Sequence, residues 1–404
     1  MIQDLTPSED PIGWSYDPRS MKPLSRFSDA LPRSGIRAVM ELAAQDPAVI
    51  SLAAGEPSFR TPGHIIDAAM EAARAGHTRY TPSVGIPPLR EAVAARCAER
   101  WAMAVGAEDV MIGAGAGNAI MATLLVIVDE GDEVLVPDPA WPNYIAQVQT
   151  ARGVPVSYPL RPQDGYLPDV RALDGLVTAR TKAIITNNPS NPCGTVWPRE
   201  TVAAVAGWAR DRDLWVIADE VYEELVFDGE MVWAAPYDRE RTIAIGGCSK
   251  TCAMTGWRIG WAVSSSRLVD AAMKVQEPLI SCASDVSQRA ALAALTGPQG
   301  FVDEMRAAYR RRRDLVRKLL EPAGLLPTVP SGAFYAMADL RATGLTSLDA
   351  AMRMIREERV ATVPGTAFGG VAEGFVRLSL ASSDEEVCTG CERIVRFAAR
   401  HRAG

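Results

Sequence analysis

The stretch GGCSKTCAMTGWRIGW, residues 246–261, decides how the rest of the chain is interpreted. It follows an apolar, strand-like run at Thr242–Ile245 and contains Lys250, one of only five lysines in the chain. A lysine withdrawn from water near another cation, here Arg258, has a lowered pKa and can attack a carbonyl carbon. A single solvated lysine in a Gly/Ser loop is the alternative, and the stretch alone does not separate the two.

Strand-like runs alternate with helical patterns from residue 110 onward. Their near-continuous Val, Ile and Leu content predicts strands buried on both faces, in a mostly parallel seven-stranded sheet flanked by helices. The fold class is therefore α/β. The predicted strands are Val110–Ile112, Glu133–Val136, Val154–Tyr158, Lys182–Thr186, Leu214–Ala218, Thr242–Ile245 and Gly260–Val263.

The two ends of the chain show a different pattern. A helix at Leu31–Ala44, a long helical region at Val286–Leu320 and strands at Ala333–Ala338 and Val376–Leu380 predict a mixed α+β unit. We expect an N-terminal arm at 1–22, a small domain formed by 23–60 with 297–404, and a large domain at 61–296.

Composition narrows the class of protein. A net charge of −7 argues against a nucleic-acid or anionic-membrane surface. The N-terminus lacks a signal-peptide pattern and no apolar run reaches about 18 residues, so we expect a cytoplasmic protein. The seven scattered cysteines predict reduced thiols rather than a metal site or disulfides, with Cys388-x-x-Cys391 a coincidence on a helix. The RRRR run at 310–313 predicts a solvated helix face.

Ligands of open α/β sheets bind beyond the carboxyl ends of the strands, so the residues that follow each strand are candidates. The turn Gly113–Asn118 opens a helix and could hold a phosphate with its N–H groups. Alternatively, its small residues could serve only the backbone geometry of the turn. Trp141 could stack on a planar ring or fill the core. Asn191 could bond a ligand oxygen or simply form an Asn-Pro turn.

A carboxylate and a phenol follow the strand at Leu214–Ala218. Asp219 needs a cation or a donor if it is buried, and a structural arginine is the alternative partner. Together the strand-end groups match pyridoxal 5'-phosphate, whose ring nitrogen, kept protonated by a carboxylate, makes it an electron sink. The cofactor's aldehyde matches Lys250, and its phosphate matches the Gly117 turn and Arg258. Its ring matches Trp141 and its ring nitrogen matches Asp219. Its phenolic oxygen matches Asn191 and Tyr222.

The chain resembles the class I and II aminotransferases, fold type I pyridoxal-phosphate enzymes, and within them the bacterial aspartate, aromatic and broad-specificity subgroup. The resemblance runs from about Leu31 to the C-terminus. The segments that carry it are LPRSGIRAVMELA, AAGEPSFRTP, TRYTPSVGIPPLREAV, DEGDEVLVPDPAWPNY, NNPSNPCGTV, IADEVYEELVF, SKTCAMTGWRIGW, PSGAFYAM and FVRLSLASS.

The resemblance implies a role for each site residue. Lys250 would bond the cofactor covalently, Asp219 would pair with its ring nitrogen and Trp141 would stack on the ring. Asn191 and Tyr222 would contact the phenolic oxygen, and Arg258 with the amides of Ala116, Gly117 and Asn118 would hold the phosphate. Tyr80 would reach the phosphate of a second subunit, which implies a homodimer with shared sites. Arg377, helped by the backbone at Gly55, would bind the substrate α-carboxylate as a bidentate fork.

Three positions depart from the family pattern. Gly247 stands where many members have a phosphate-binding serine. Gly117 stands where aspartate-using members carry a lysine, which favours neutral or aromatic donors. The segment Gln276–Cys282 replaces a run that is usually rich in serine and threonine.

Transamination between an L-amino acid and a 2-oxo acid, by a ping-pong mechanism with Lys250 as general base and acid, is the main hypothesis. A β- or γ-lyase or an amino-acid oxidase on the same fold is the alternative. A non-catalytic regulator is disfavoured, since the short N-terminal arm leaves no room for a DNA-binding domain. The sequence GAGAGN at 113–118 lacks the spacing of a nicotinamide-binding turn.

Overall fold

The seven strands predicted for the large sheet all form in the computed structural model, which describes residues 22–23, 25, 27–28 and 35–402, with the backbone alone at 35–38. Most of the predicted N-terminal arm, and the start of the predicted helix at Leu31–Ala44, lie outside these residues. In chain order the strands are β1 (Ile50–Ser51), β2 (Val110–Gly113), β3 (Glu133–Asp138), β4 (Val154–Pro159), β5 (Thr181–Asn187), β6 (Trp215–Asp219), β7 (Thr242–Gly247), β8 (Gly260–Val263), β9 (Tyr335–Asp339), β10 (Val360–Ala361), β11 (Val363–Pro364) and β12 (Phe375–Ser379).

Helices cover the large sheet and build the remainder of the described chain. They are α1 (Gly35–Ala43), α2 (Gly63–Arg74), α3 (Pro87–Trp101), α4 (Ala116–Ile127), α5 (Asn143–Thr150), α6 (Val170–Leu173), α7 (Arg199–Asp211), α8 (Cys248–Thr251), α9 (Ser266–Ile280), α10 (Asp285–Thr296), α11 (Gly300–Leu320), α12 (Ser347–Glu358) and α13 (Asp384–Arg400). Among the helices of this part of the chain, none is long and apolar enough to cross a membrane.

The large sheet has the strand order β2-β8-β7-β6-β5-β3-β4. Its strands pair in parallel except at β8, which is antiparallel to both β2 and β7. The connection from β7 to β8 spans residues 248–259 and contains α8. The prediction of a mostly parallel α/β sheet is confirmed.

Burial on both faces was predicted for every strand, and that is wrong for β4. This strand lies at the sheet edge, pairs only with β3, and leaves Val154 44% exposed. An edge strand needs less apolar surface than a central one.

The long helical region predicted at Val286–Leu320 is two helices, α10 and α11, separated by Gly297, Pro298 and Gln299. Gly297 caps α10, and a proline after a helix end prevents its continuation. Helix α9, which contains Pro278, was not predicted.

The solvated face predicted for the arginine run is wrong for half of its members. Arg312 and Arg313 are buried. Arg312 follows Met305 and Tyr309 on α11 at helical spacing, so it lies on the stripe that faces the core.

Two small sheets complete the architecture. β1 pairs in parallel with β10, and β11, β12 and β9 form an antiparallel sheet with Arg377 paired opposite Met337. One hydrophobic cluster joins residues of 39–53 and 221–227 to residues of 305–398. The division into a large and a small domain stays a prediction.

Candidate active site

Lys250 lies in the single helical turn α8, directly after β7, an interior strand of the large sheet. Its Nζ donates a hydrogen bond to the carbonyl oxygen of Gly55 at 2.6 Å. Burial, reinforced by the nearby guanidinium of Arg377, lowers the pKa of Lys250 to about 8. A larger fraction of this amine is therefore neutral near pH 7 than for a solvated lysine, as a nucleophile or base requires.

A cavity of about 270 Å³ opens at the carboxyl ends of β5, β6 and β7. This is the edge where the sheet topology places ligands. Its lining residues are Ala53, Gly55, Ala116, Gly117, Trp141, Tyr144, Asn187, Asn191, Asp219, Val221, Tyr222, Ser249, Lys250, Thr255, Arg258, Tyr335, Phe368 and Arg377.

Asp219 is the last residue of β6 and is buried. Its carboxylate accepts hydrogen bonds from the Tyr144 hydroxyl at 2.5 Å and the Val221 N–H at 3.3 Å. Burial raises the pKa of Asp219 to about 6, although these bonds favour the ionised form. The arginine partner considered from the sequence does not occur among the described residues, because a tyrosine takes its place.

A chain of amide contacts links Asp219 to Arg377. The Asn187 side chain donates to the Asp219 carbonyl oxygen at 3.0 Å and accepts from the Asn191 N–H at 2.7 Å. The Asn191 side-chain oxygen in turn accepts from Arg377 Nη1 at 3.2 Å. The ends of two neighbouring sheets are thereby held in a fixed relation across the cavity.

Arg377 is buried at the centre of β12, and its guanidinium pairs with no carboxylate in the described part of the chain. Its Nη2 donates to the Ala53 carbonyl oxygen at 2.9 Å, and its Nε has no hydrogen-bond partner. The guanidinium lies over the rings of Tyr335 and Phe368, at 4.3 and 4.8 Å from their centroids. A buried, incompletely bonded arginine that lines a cavity is suited to bind an anion.

A second anion-binding end lies at the N-terminus of α4. The amides of Ala116 and Gly117 open this helix, and Arg258 packs so closely that a Cβ added at Gly115 would lie 2.7 Å from its Nη2. Gly115 also has a φ of +90°, which favours glycine. Asn118 does not line the cavity, since its N–H donates to the Gly115 carbonyl and its side chain accepts from the Ala114 N–H.

Trp141 and Tyr222 lie on the walls between these two ends. Trp141 contacts Tyr144 edge to face at 5.4 Å and lies over Gly117, where an added Cβ would be 3.4 Å from its ring. The Tyr222 hydroxyl is 3.2 Å from that of Tyr335, and the Tyr335 hydroxyl donates to the Gly55 carbonyl at 3.4 Å. Both rings are therefore available to a planar ligand in the cavity.

Tyr80 is, after Asn118, the second predicted site residue that does not line the cavity. Its side chain is 89% exposed. The residues of the site that the sequence did not predict include Tyr144, Asn187, Tyr335 and Phe368. The first three stand inside quoted family segments, so position within a motif was the available signal, whereas Phe368 stands in none of them.

The departures at Gly247 and Gln276 have structural counterparts. A Cβ at Gly247 would lie 3.2 Å from Gly260 Cα and from the Ile259 carbonyl oxygen, so a serine there would press on the backbone of β8. The buried Gln276 side chain donates to the carbonyl oxygens of Ser83 and Ile112. Gln276 thus fastens α9 to strand β2 and to the loop that precedes α3.

These groups fit one kind of ligand, a flat carbonyl compound with an anionic tail. The primary amine of Lys250, with its lowered pKa, faces the cavity. The backbone amides at the start of α4 and the side chain of Arg258 suit the anionic tail. The Asp219 carboxylate suits a protonated ring nitrogen. The Arg377 guanidinium, whose Nε has no hydrogen-bond partner, remains for a second anion. The fold and the site together suit a protein that binds a carbonyl cofactor beside a lysine.

Comparison with known proteins identifies the family. The model of the family described as aminotransferase class I and II matches residues 47–394. The chain is 38% identical to the aspartate/prephenate aminotransferase of Thermus thermophilus over 94% of its own length and 100% of that protein.

Two solved structures agree. The aspartate aminotransferase from Thermus thermophilus with maleate superposes with a TM-score of 0.89 at 38% identity, covering 93% of this chain and 100% of that one. The aromatic aminotransferase from Pyrococcus horikoshii gives 0.85 at 38% identity, with 90% and 99% covered. The chain belongs to the class I and II aminotransferases, a family that uses pyridoxal phosphate.

Proposed function

We propose that this enzyme transfers the amino group of a neutral or aromatic L-amino acid to a 2-oxo acid, with pyridoxal 5'-phosphate held by the cavity residues. The proposal rests on the observation that Lys250 and Arg377 line the same cavity. Lys250 is an amine with a lowered pKa, and Arg377 is a buried guanidinium without a carboxylate partner among the described residues. One group suits proton transfer at the α-carbon and the other suits the α-carboxylate.

The cofactor, when bound, supplies an electron sink for the electron pair left at the α-carbon. Asp219 would stabilise a protonated ring nitrogen, and its ionised form is held by Tyr144. Asn191 and Tyr222 would contact the phenolic oxygen, Trp141 would stack on the ring, and the phosphate would meet the Ala116, Gly117 and Asn118 amides and Arg258. Of these amides, the Asn118 N–H would have to give up its bond to Gly115.

Lys250 would move the proton. Its Nζ lies beside the Gly55 carbonyl, which orients the amine toward the cavity and leaves its remaining donors free. Arg377 would bind the α-carboxylate with two parallel hydrogen bonds from N–H groups at the edge of its guanidinium plane, while the rings of Tyr335 and Phe368 pack against the guanidinium. Fixing both ends of the donor sets the direction of the Cα–H bond.

The preference for neutral or aromatic donors rests on charge. Among the described residues the cations that line the cavity are Lys250, Arg258 and Arg377, and each already has a role. Gly117 offers no cation to a side-chain carboxylate. The relatives bear on this from both sides, since their names include aspartate, prephenate and aromatic aminotransferases.

The assembly and its location are part of the proposal. The exposed ring of Tyr80 lies outside the cavity of its own chain and would reach the phosphate site of a second subunit, which makes the active unit a homodimer. The cytoplasmic location stays a prediction from the sequence.

A test uses the purified enzyme loaded with cofactor and single L-amino acids. Transamination converts the bound cofactor to its amine form once, and releases one equivalent of 2-oxo acid per site until an acceptor is added. Ammonia formed over many turnovers without an acceptor would show a lyase or oxidase instead. Comparing phenylalanine, leucine and aspartate as donors tests the preference, and an optimum for aspartate would contradict it.

A further inference from the structure

Arg312 belongs to the RRRR run of α11. It is buried, although a solvated position was predicted for that run. Its side chain is 10% exposed. Nε donates to the Asp384 carboxylate at 2.8 Å, at the start of α13. Nη1 donates to the Leu380 carbonyl oxygen at 3.1 Å and to the Ser58 hydroxyl at 3.0 Å. One guanidinium thus joins the end of β12, the start of α13 and the loop that contains Ser58.

Two aromatic rings complete its surroundings. The guanidinium lies 5.7 Å from the ring centroid of Phe59 and 5.6 Å from that of Tyr309. These rings contact each other edge to face at 5.6 Å. Arg312 therefore holds residues 58 and 59 to α11 by a polar and a cation–π contact, alongside the direct contact between the Phe59 and Tyr309 rings.

The other end of this loop reaches the active site. The Gly55 carbonyl accepts from Lys250 Nζ at 2.6 Å and from the Tyr335 hydroxyl at 3.4 Å. The Glu56 carboxylate accepts from the Thr255 hydroxyl at 3.0 Å. Leu380, the second backbone partner of Arg312, is three residues beyond Arg377. Arg312 therefore contacts both segments that carry substrate-facing groups, but touches no cavity residue itself.

We propose that Arg312 is a positioning residue for the amino-acid substrate. It fixes the position of the loop 55–59 relative to Lys250 and relative to the strand that carries Arg377. This inference rests on the proposed function. Lysine cannot replace it, because its single ammonium lacks the planar fork that reaches Asp384, Leu380 and Ser58 at once.

The test compares Arg312→Lys with Arg311→Lys in the enzyme loaded with cofactor. Arg311 is the neighbour on α11, is 62% exposed and lies 3.5 Å from the same Asp384 carboxylate, so it is a matched control. For Arg312→Lys we expect the KM of the amino donor to rise about tenfold with kcat changed less than about threefold, since the loop must be ordered on binding. Arg311→Lys leaves both constants at the wild-type value.

Hydrogen–deuterium exchange gives a readout that does not depend on activity. In Arg312→Lys, amides of residues 54–60 exchange faster, while those of α11 keep the wild-type rate. A faster exchange throughout α11 and α13, or a lowered melting temperature with an unchanged KM, would show a purely structural role and overturn the proposal.

Ser58→Ala tests the same link with Arg312 intact, should the lysine variant not fold. We expect the KM of this variant to rise by about threefold, which corresponds to the loss of one hydrogen bond. The double variant should have the same KM as Arg312→Lys alone. Additive effects would overturn the proposal. A wild-type enzyme that releases no 2-oxo acid would contradict the proposed function, whereas an unchanged KM in the active variants contradicts the role of Arg312 alone.

Discussion

The hydroxyl of Tyr144 donates a 2.5 Å hydrogen bond to the carboxylate of Asp219, and both side chains are buried. Burial raises the pKa of Asp219 to about 6, and this bond opposes the rise. The carboxylate is therefore mostly ionised at pH 7, the form that a protonated ring nitrogen requires.

Removing this hydroxyl tests its role. In Tyr144→Phe the pKa of Asp219 rises further, so less carboxylate is ionised at pH 7. We expect the dissociation constant of the cofactor at pH 7 to increase about tenfold, with the acid limb of binding displaced to higher pH. Spectroscopic titration across pH measures both.

Tyr158→Phe is the matched control. Tyr158 is equally buried, but its hydroxyl donates to the Ile185 carbonyl at 2.8 Å rather than to Asp219. It should leave the pH dependence of cofactor binding unchanged. An identical profile for both variants would remove Tyr144 from the account of Asp219.

Most of the large sheet could be predicted because each strand has a local signature, a short run of β-branched and apolar residues bounded by turn formers. The site residues that sit at strand ends, such as Asp219, could be proposed for the same reason. Tyr144 could not, because its partner lies 75 positions away and its own helix shows only an ordinary amphipathic pattern.

The arginine run shows a second limit of sequence reasoning. Four adjacent charged residues predict a solvent-exposed segment. In a helix, however, successive side chains point about 100° apart, so some of the four must face the core. Whether they are tolerated there depends on partners from other segments, here Ser58, Leu380 and Asp384. Local charge alone does not contain that information.

The lowered pKa of Lys250 predicts a pH-dependent stability in the cofactor-free protein. Below about pH 8 the folded state must carry a charge that burial disfavours, and this cost disappears as pH rises from about 8 toward the ordinary value of 10.5. Wild type should therefore gain about 1–3 kcal/mol relative to Lys250→Met between about pH 7 and about pH 10, after allowance for partial exposure. Urea unfolding of both proteins measures the difference, and a constant difference would contradict the lowered pKa.

Arg377→Lys tests recognition of the α-carboxylate. The variant keeps the charge but loses the fork and the stacking between Tyr335 and Phe368. The dissociation constant of 3-phenylpropionate, a carboxylate without an amino group, should rise about tenfold or more. Cofactor affinity, measured in parallel, should stay within about threefold. Unchanged binding of the carboxylate would exclude Arg377 from its recognition.

Gly117→Lys tests the basis of donor preference. A lysine here supplies the cation that the resemblance assigns to aspartate-using members, so the ratio of kcat/KM for aspartate over phenylalanine should rise about tenfold. Gly117→Met is the control, because it places a chain of similar length beside Trp141 without a charge. An equal ratio in both variants would mean that aspartate is recognised elsewhere.

The proposed function requires that Lys250 hold the cofactor. Borohydride reduction of the loaded enzyme makes the carbon–nitrogen bond to the cofactor permanent, and peptide mass analysis then locates it. We predict that the peptide containing Lys250 carries the added mass, at about one equivalent per chain, while the peptide with the exposed Lys274 does not. Label on Lys274 or another lysine, with the Lys250 peptide unmodified, would contradict the account.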